Sequence, residues 1–299
     1  MTEKKWLAQY ENRLVGKKVV LFGATGGIGR ELARYILMLG ATLLTVDRNQ
    51  SKAQQLTAEL KNNFPDSCIM NLFADLSDFA SVQKLVEELK GMDVDVLVHN
   101  AGAYSIPRKI TDLGSDNVFQ INFVSPYYIT NALLPSLSKR NGRVVAVGSI
   151  AHTYSKTDPN DIDFSTRKQA SLVYGNAKRY LMYSILSLSR ENNNVGFAVA
   201  HPGITFTNIT NHYPKLIFAI IKYPMKVIFM KPRVAALSIL MGMFEETKPY
   251  SWIGPRLFNI WGMPVRKVLS TASNEEIERI YKSARKIIDR CKEIGGFSE

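Results

Sequence analysis

Cysteine is scarce in this chain of 299 residues. Cys68 and Cys291 lie far apart and form no CxxC pair, which excludes a disulfide framework and a cysteine-based zinc site. The four histidines (His99, His152, His201, His212) form no HExxH pattern, so no metal is expected. Long apolar runs are missing too. The stretch KLIFAIIKYPMKVIFMK at 215–231 is interrupted by Lys222, Pro224 and Lys226 before it reaches the ~18–20 residues of a membrane span. The opening segment MTEKKWLAQYENRLVGKK lacks the apolar core of a signal peptide, and cytoplasmic placement is the expectation. Acidic residues are in deficit, 26 Asp plus Glu against 38 Lys plus Arg, for a formal charge of +12. Glycine (19) and proline (12) are in no excess, and 46% of residues are hydrophobic. Disordered, collagen-like and polytopic membrane classes are thereby excluded.

What is present is a regular alternation. Residues 18–23 (KVVLFG) form a short apolar run closed by the turn GATGGIG, followed by helical spacing in RELARYILMLG that ends at Gly40. Further strands are expected at ATLLTVD (41–47), CIMNLFAD (68–75), VDVLVHNAG (94–102), GRVVAVGS (142–149) and GFAVAHPG (196–203). Helices are expected over 51–62, 78–89, 112–139 and 170–191, the second capped by Ser77 or Asp78. The strands are continuously apolar, as in a parallel sheet covered on both faces. The fold class is therefore α/β, a doubly wound parallel sheet of six or seven strands (a Rossmann fold). No linker, repeat or low-complexity tract interrupts it, so residues 1–299 read as a single domain. Residues 204–265 read as a helical lid over the substrate pocket, with a helix opened by Pro232. A final helix spans 274–294, capped by Asn274 or Ser273.

Gly23, Gly27 and Gly29, with Thr25, Gly26 and Ile28 between them, sit where a strand meets a helix. Such a turn lets backbone approach a pyrophosphate, and the helix N-terminus adds unpaired N–H groups. Asp47 ends the second strand, 18 residues after Gly29. A carboxylate there accepts ribose hydroxyls and repels a 2′-phosphate, which favours NAD, whereas the neighbouring Arg48 would suit NADP. Tyr174 and Lys178 are four apart, on one face of a helix. A phenol titrating near 10 needs a nearby cation to act as acid or base at neutral pH. Ser149 closes the preceding strand at the rim where such sheets bind ligands.

In order along residues 18–207 come Gly23, Gly27 and Gly29; Asp75-Leu76; Asn100-Ala101-Gly102; Ser149 with Tyr174 and Lys178; and Pro202-Gly203 with Thr207. On these motifs the chain resembles the short-chain dehydrogenase/reductase family, classical type. The resemblance implies an NAD(P)-dependent oxidoreductase. Tyr174 would transfer the proton, Ser149 would hold the substrate oxygen, and Lys178 would lower the phenol's pKa and bind the nicotinamide ribose. Asn122 would hold a water relay behind the lysine. Asp75 and Leu76 would meet the adenine, Asn100, Ala101 and Gly102 would run along the cofactor, and Thr205 and Thr207 would lie near the nicotinamide amide beside Pro202 and Gly203. GSIAH (148–152), IDF (162–164), AHPG (200–203) and the later YSWIGP and WGMP resemble the retinol-dehydrogenase-like branch, as does the 25-residue gap between Ser149 and Tyr174. That likeness implies a small hydrophobic alcohol, aldehyde or ketone. Asp47 departs from the small residue that NADP-using members of the branch carry.

Gly23, Gly26 and Gly29 also fit the GxxGxxG turn of nucleotide-sugar epimerases and dehydratases, the enzymatic alternative. A dinucleotide-binding regulatory protein without turnover is the non-enzymatic one. A homodimer or homotetramer is the family expectation. No nucleic-acid-binding signature appears. Past residue 204 stand 15 Lys plus Arg against 8 Asp plus Glu, among apolar and aromatic residues. That region reads as a solvated face, with peripheral membrane contact as the alternative.

Overall fold

The computed structural model describes residues 2–205, 229–247 and 250–295. Eight strands form one sheet: β1 (Lys18–Phe22), β2 (Thr42–Asp47), β3 (Ile69–Phe73), β4 (Val96–His99), β5 (Arg143–Val147), β6 (Gly196–Ala200), β7 (Ser251–Leu257) and β8 (Trp261–Val268). Their spatial order is β3-β2-β1-β4-β5-β6-β7-β8. The first seven are parallel, β7 joining β6 through Ala200 and Ile253, and β8 returns antiparallel to β7. The order reverses between β1 and β4, where the C-terminal ends of both strands leave a crevice for a ligand.

The helices are α1 (Glu3–Leu7), α2 (Gly27–Met38), α3 (Gln50–Asn63), α4 (Phe79–Lys90), α5 (Asn117–Phe119), α6 (Ser125–Lys139), α7 (Ala170–Glu191), α8 (Pro232–Gly242) and α9 (Asn274–Gly295). Two apolar clusters cover the two faces of the sheet. One joins β1, β2 and β5 to α4, α6, α7 and α9; the other packs α2, α3 and α8 on the opposite face. Burial on both faces is why Val19, Val20, Leu21 and Phe22 are successive apolar residues, each at most 1% exposed. Asp78 caps α4 by accepting from the Ser81 N–H.

Two expectations change in detail. The helix expected over 112–139 begins at Asn117 and opens into a π-helical turn at Gln120–Val124 before α6. Within 204–265, α8 is helical, but residues 251–268 are the β7–β8 hairpin. Gly254, Pro255, Gly262 and Pro264 hid that hairpin from a reading based on apolar runs. Thr207 and most of the apolar run at 215–231 lie outside the described residues.

Candidate active site

The loops after β1, β2, β4, β5 and β6 converge on two adjoining cavities. The first, about 390 Å³, is lined by Gly23, Thr25, Asp47, Arg48, Asp75 and Leu76, with Asn100, Ala101 and Gly102 at its inner end. The second, about 440 Å³, is lined by Ser149, Tyr174, Lys178, His201, Pro202, Gly203 and Thr205, with Ile28 from the first turn of α2. Asn100, Gly102 and Tyr104 line both, so the two form one groove. A larger cavity of about 730 Å³ lies among α4, α6, α7 and α9, lined by Tyr127, Glu191, Tyr281 and Arg285. It holds none of the expected site residues.

The glycine turn is shaped by close approach. A Cβ on Gly29 would stand 2.0 Å from the Gly23 carbonyl oxygen, so any side chain there forces α2 away from β1. Gly23 has φ +74, and its own Cβ would meet the Ala101 Cα at 2.9 Å. Gly26 caps α2 in extended conformation and Gly27 begins the helix. The N–H groups of this first turn have no partner further back in the helix and open an anion site. Asn100 fastens the β4 loop to this turn, its Nδ2 donating to the Phe22 and Gly23 carbonyls at 3.2 and 3.1 Å.

Asp47 is 3% exposed. Its Oδ1 accepts from the Thr25 N–H (3.0 Å) and hydroxyl (2.7 Å), while Oδ2 is buried with no partner among the described residues. Burial pushes this carboxyl upward, opposed by the Thr25 bonds. Arg48 is exposed and stands 3.7 Å from Asp75. Asp75 is braced by the Ser77 N–H and hydroxyl at 2.9 and 2.7 Å. The Leu76 carbonyl accepts from the Ser125 hydroxyl at 2.7 Å, which holds this loop to α6.

In the second cavity, α7 places Tyr174 and Lys178 on the same face, with Nζ 5.7 Å from the phenol ring centroid. Lys178 is 2% exposed, and its Nζ donates to the Val147 carbonyl at 3.0 Å. Burial draws the ammonium down to about 8. Burial also pushes Tyr174 up to about 12, the Ser149 hydroxyl pulling the other way and Tyr104 adding to the rise. In the protein alone, therefore, burial outweighs the downward shift expected from the lysine. Asn122 lies in the π-helical turn, wholly buried; its Nδ2 donates to the Ala103 and Val118 carbonyls at 2.7 and 2.8 Å. Its Oδ1 has no partner among the described residues and faces Gly102. A point at the Gly102 Cβ position is 2.7 Å from Asn122 Oδ1 and 3.6 Å from Lys178 Nζ. Single π-turns inside helices gather at functional sites.

Several contributors were not among the expected site residues. Tyr104 packs edge-on to Tyr174 at 5.2 Å between ring centroids. Its signal in the sequence is its place two residues after Gly102. His201 lines the cavity, stacks on Trp252 at 5.1 Å and bonds the Asn259 carbonyl through Nε2 at 3.0 Å. Burial draws it down to about 4, so it is a neutral wall of the cavity at pH 7. His99, drawn down to about 3 by burial, is held to the Thr130 hydroxyl at 2.8 Å outside both cavities. Among the described residues no group of His, Cys, Asp and Glu is arranged to hold a metal. No helix there is long and apolar enough to cross a membrane.

Comparison with known proteins agrees with this fold. The crystal structure of an uncharacterized protein from Mycobacterium Paratuberculosis superposes with a TM-score of 0.71 at 22% identity, covering 94% of this chain and 93% of that one. The short-chain dehydrogenase TIC 32 A of Brassica napus is 30% identical over 211 residues, 64% of this chain and 65% of that protein. Retinol dehydrogenase 14 of Mus musculus is also 30% identical, over 212 residues, 66% of this chain and 64% of that protein. The chain thus spans just under two thirds of the length of these curated relatives. Their names differ at equal identity, so no single branch stands out. The family model described as short chain dehydrogenase matches residues 17–215, more than half of the sequence, and the chain belongs to the short-chain dehydrogenase family of oxidoreductases.

Proposed function

We propose that the chain transfers a hydride between a nicotinamide dinucleotide and the alcohol or carbonyl group of a small hydrophobic substrate, with Tyr174 as acid and base. The observation that carries this reading is the single cavity that gathers Tyr174, Ser149 and Lys178. The residues suit the dinucleotide. The buried, unpartnered Asp47 Oδ2 is an acceptor awaiting a hydroxyl, and the Gly29 approach leaves bare backbone at the N-terminus of α2. The buried Asp47 favours NAD, against Arg48, which is exposed and drawn toward Asp75. Gly23, Thr25, Gly26, Gly27, Ile28 and Gly29 would receive the phosphates, Asp75 and Leu76 the adenine, and Asn100, Ala101, Gly102, Pro202, Gly203 and Thr205 the nicotinamide half.

The dinucleotide supplies the hydride and, when oxidised, a positive ring. Everything else falls to the chain. The Ser149 hydroxyl, which lines the same cavity as Tyr174, holds the substrate oxygen beside the phenol. Tyr174 gives its proton to that oxygen in reduction and takes it in oxidation. Lys178 stabilises the phenolate left behind. The unpartnered Asn122 Oδ1 on the far side of Gly102 is placed to hold a water that returns a proton toward Lys178. Ile28, Val147, Ile150, Ala151 and Ile204 make the remaining wall apolar, which supports a hydrophobic substrate. A retinol-dehydrogenase-like substrate range is the finer form of this reading, supported by the sequence motifs and by that relative's name.

The test is reduction of nonanal and all-trans-retinal, and oxidation of the corresponding alcohols, with both cofactors. Tyr174→Phe should lower turnover at least about 10²-fold, in the range that general acid–base catalysis supplies, with dinucleotide binding within a few-fold of native. Turnover that survives the substitution would remove Tyr174 from the proton transfer.

A further inference from the structure

Arg179 follows Lys178 on α7 but faces away from the cavity, into a buried ion pair. Its Nε and Nη2 donate to the two carboxylate oxygens of Glu276, on the first turn of α9, each at 2.6 Å. The two side chains are 9% and 12% exposed. The other nitrogen, Nη1, donates to the His152 and Ser155 carbonyls at 2.8 and 2.9 Å. Four of the five guanidinium N–H groups are thereby committed. They tie α7, α9 and the turn that follows Ser149 into one unit.

That turn has almost no freedom left. The Ala151 carbonyl lies so close to α7 that a Cβ on Gly175 would be 2.3 Å from it. The Ala151 N–H donates to the Ser149 hydroxyl at 3.1 Å, and His152 Nδ1 is 2.6 Å from the Ser149 carbonyl. The opposite nitrogen of His152 meets the Thr271 hydroxyl at 2.8 Å, and Tyr183 donates to the same hydroxyl at 3.0 Å. Two arms therefore run from residues 271–276 to Ser149, one through Thr271 and His152, the other through Glu276 and Arg179. Hydrophobic replacement of a buried ion pair is often neutral or stabilising, so stability alone does not account for this one.

We infer that Arg179 and Glu276 are positioning residues: the start of α9, 97 residues beyond Arg179, sets the Ser149 hydroxyl against Tyr174. The inference rests on the role proposed for Ser149. The pair touches neither cavity, so its loss acts through the 150–155 turn. Arginine's fork is essential, because a lysine at 179 cannot reach two carboxylate oxygens and two carbonyls together.

The test is a double-mutant cycle read by NADH-dependent nonanal reduction and by hydrogen exchange of the backbone amides at 150–155. Arg179→Lys and Glu276→Gln should each lower kcat about tenfold or more, with NADH affinity within twofold and the thermal midpoint high enough to confirm a folded enzyme. Amide exchange at 150–155 should rise by a similar factor while β4 and β5 stay protected. In a Ser149→Ala background, Arg179→Lys should produce little further loss, because the hydroxyl it positions is gone. If Ser149→Ala itself leaves kcat unchanged, the proposed role of Ser149 fails and the inference with it. If Ser149→Ala is impaired but Arg179→Lys lowers kcat equally in both backgrounds, the inference alone is overturned. Native exchange at 150–155 in both variants overturns it as well, whatever the turnover. The pair Arg179→Met with Glu276→Leu guards against misfolding. It should stay folded and still lose kcat; a folded double variant with native kcat refutes the positioning role.

Discussion

Lys178 should make the folded protein less stable, and its removal should reveal by how much. Its ammonium is 2% exposed and is drawn from about 10.5 to about 8 by burial alone. A displacement of that size corresponds to about 3 kcal/mol against the folded state at neutral pH. Lys178→Met keeps the stem and removes the charge, but gives up the charged bond to the Val147 carbonyl, worth about 2 kcal/mol. The net expectation is a gain of about 1 kcal/mol, or a rise of about 2 °C in Tm for a domain of this size, with turnover abolished. The sign depends on pH. Below pH 8 the lysine carries its proton in both states and the full penalty stands. Between pH 8 and 10.5 the unfolded chain binds more protons than the folded one, so native stability rises with pH and the variant's advantage shrinks. Thermal unfolding of both proteins by circular dichroism at pH 7 and pH 10, without dinucleotide, measures the gap. A variant no more stable than native at pH 7, or a gap equal at both pH values, would refute the reasoning.

Asp47→Ala should weaken NADH binding roughly 10–100-fold, the worth of one or two bonds to a charged acceptor, and NADPH binding less; fluorescence titration gives the ratio, and an unchanged ratio removes Asp47 from ribose recognition. Gly29→Ala should destabilise by about 1–3 kcal/mol, as overpacking does, because its methyl carbon would fall 2.0 Å from the Gly23 oxygen. Dinucleotide binding should weaken with it, and native binding in a folded variant would show that the approach is dispensable. Tyr104→Ala strips a ring that helps bury Tyr174 and raises its pKa. The alkaline limb of kcat against pH should therefore move to lower pH, and a fixed limb would show that Tyr104 does not tune the phenol.

The features legible in the sequence share a property: each is local. β1, β2, β4, β5 and β6 are continuous apolar runs, the glycine turn spans seven residues, and Tyr174 and Lys178 are one helical turn apart. What escaped the reading is either long-range or irregular. Arg179 meets Glu276 across 97 residues, and His152 meets Thr271 across 119. No spacing rule reaches that far. The turn at Gln120–Val124 departs from α-helix with no proline or glycine inside it, and Pro126, two residues on, is its nearest signal. The β7–β8 hairpin has no regular alternation of burial and is punctuated by Gly and Pro, a pattern that also reads as loop.

The formal charge of +12 invites a search for surfaces, yet the two cations with the most specific surroundings are buried side by side on α7. They are treated in opposite ways. Arg179 is met by a carboxylate at Nε and Nη2, which cancels its field and leaves a rigid joint. Among the described residues Lys178 is given a carbonyl and no carboxylate, and none of those lining its cavity is Asp or Glu. An acid placed there would recover the stability lost to burial, because a paired ammonium is cheaper to bury than a lone one. It would also raise the lysine's pKa and neutralise the positive potential that a phenolate at Tyr174 requires. The penalty at Lys178 and the absence of an acid beside it are thus one feature. In the role proposed for Lys178, a cation that stabilises a charge appearing only during proton transfer has to be left uncompensated until then.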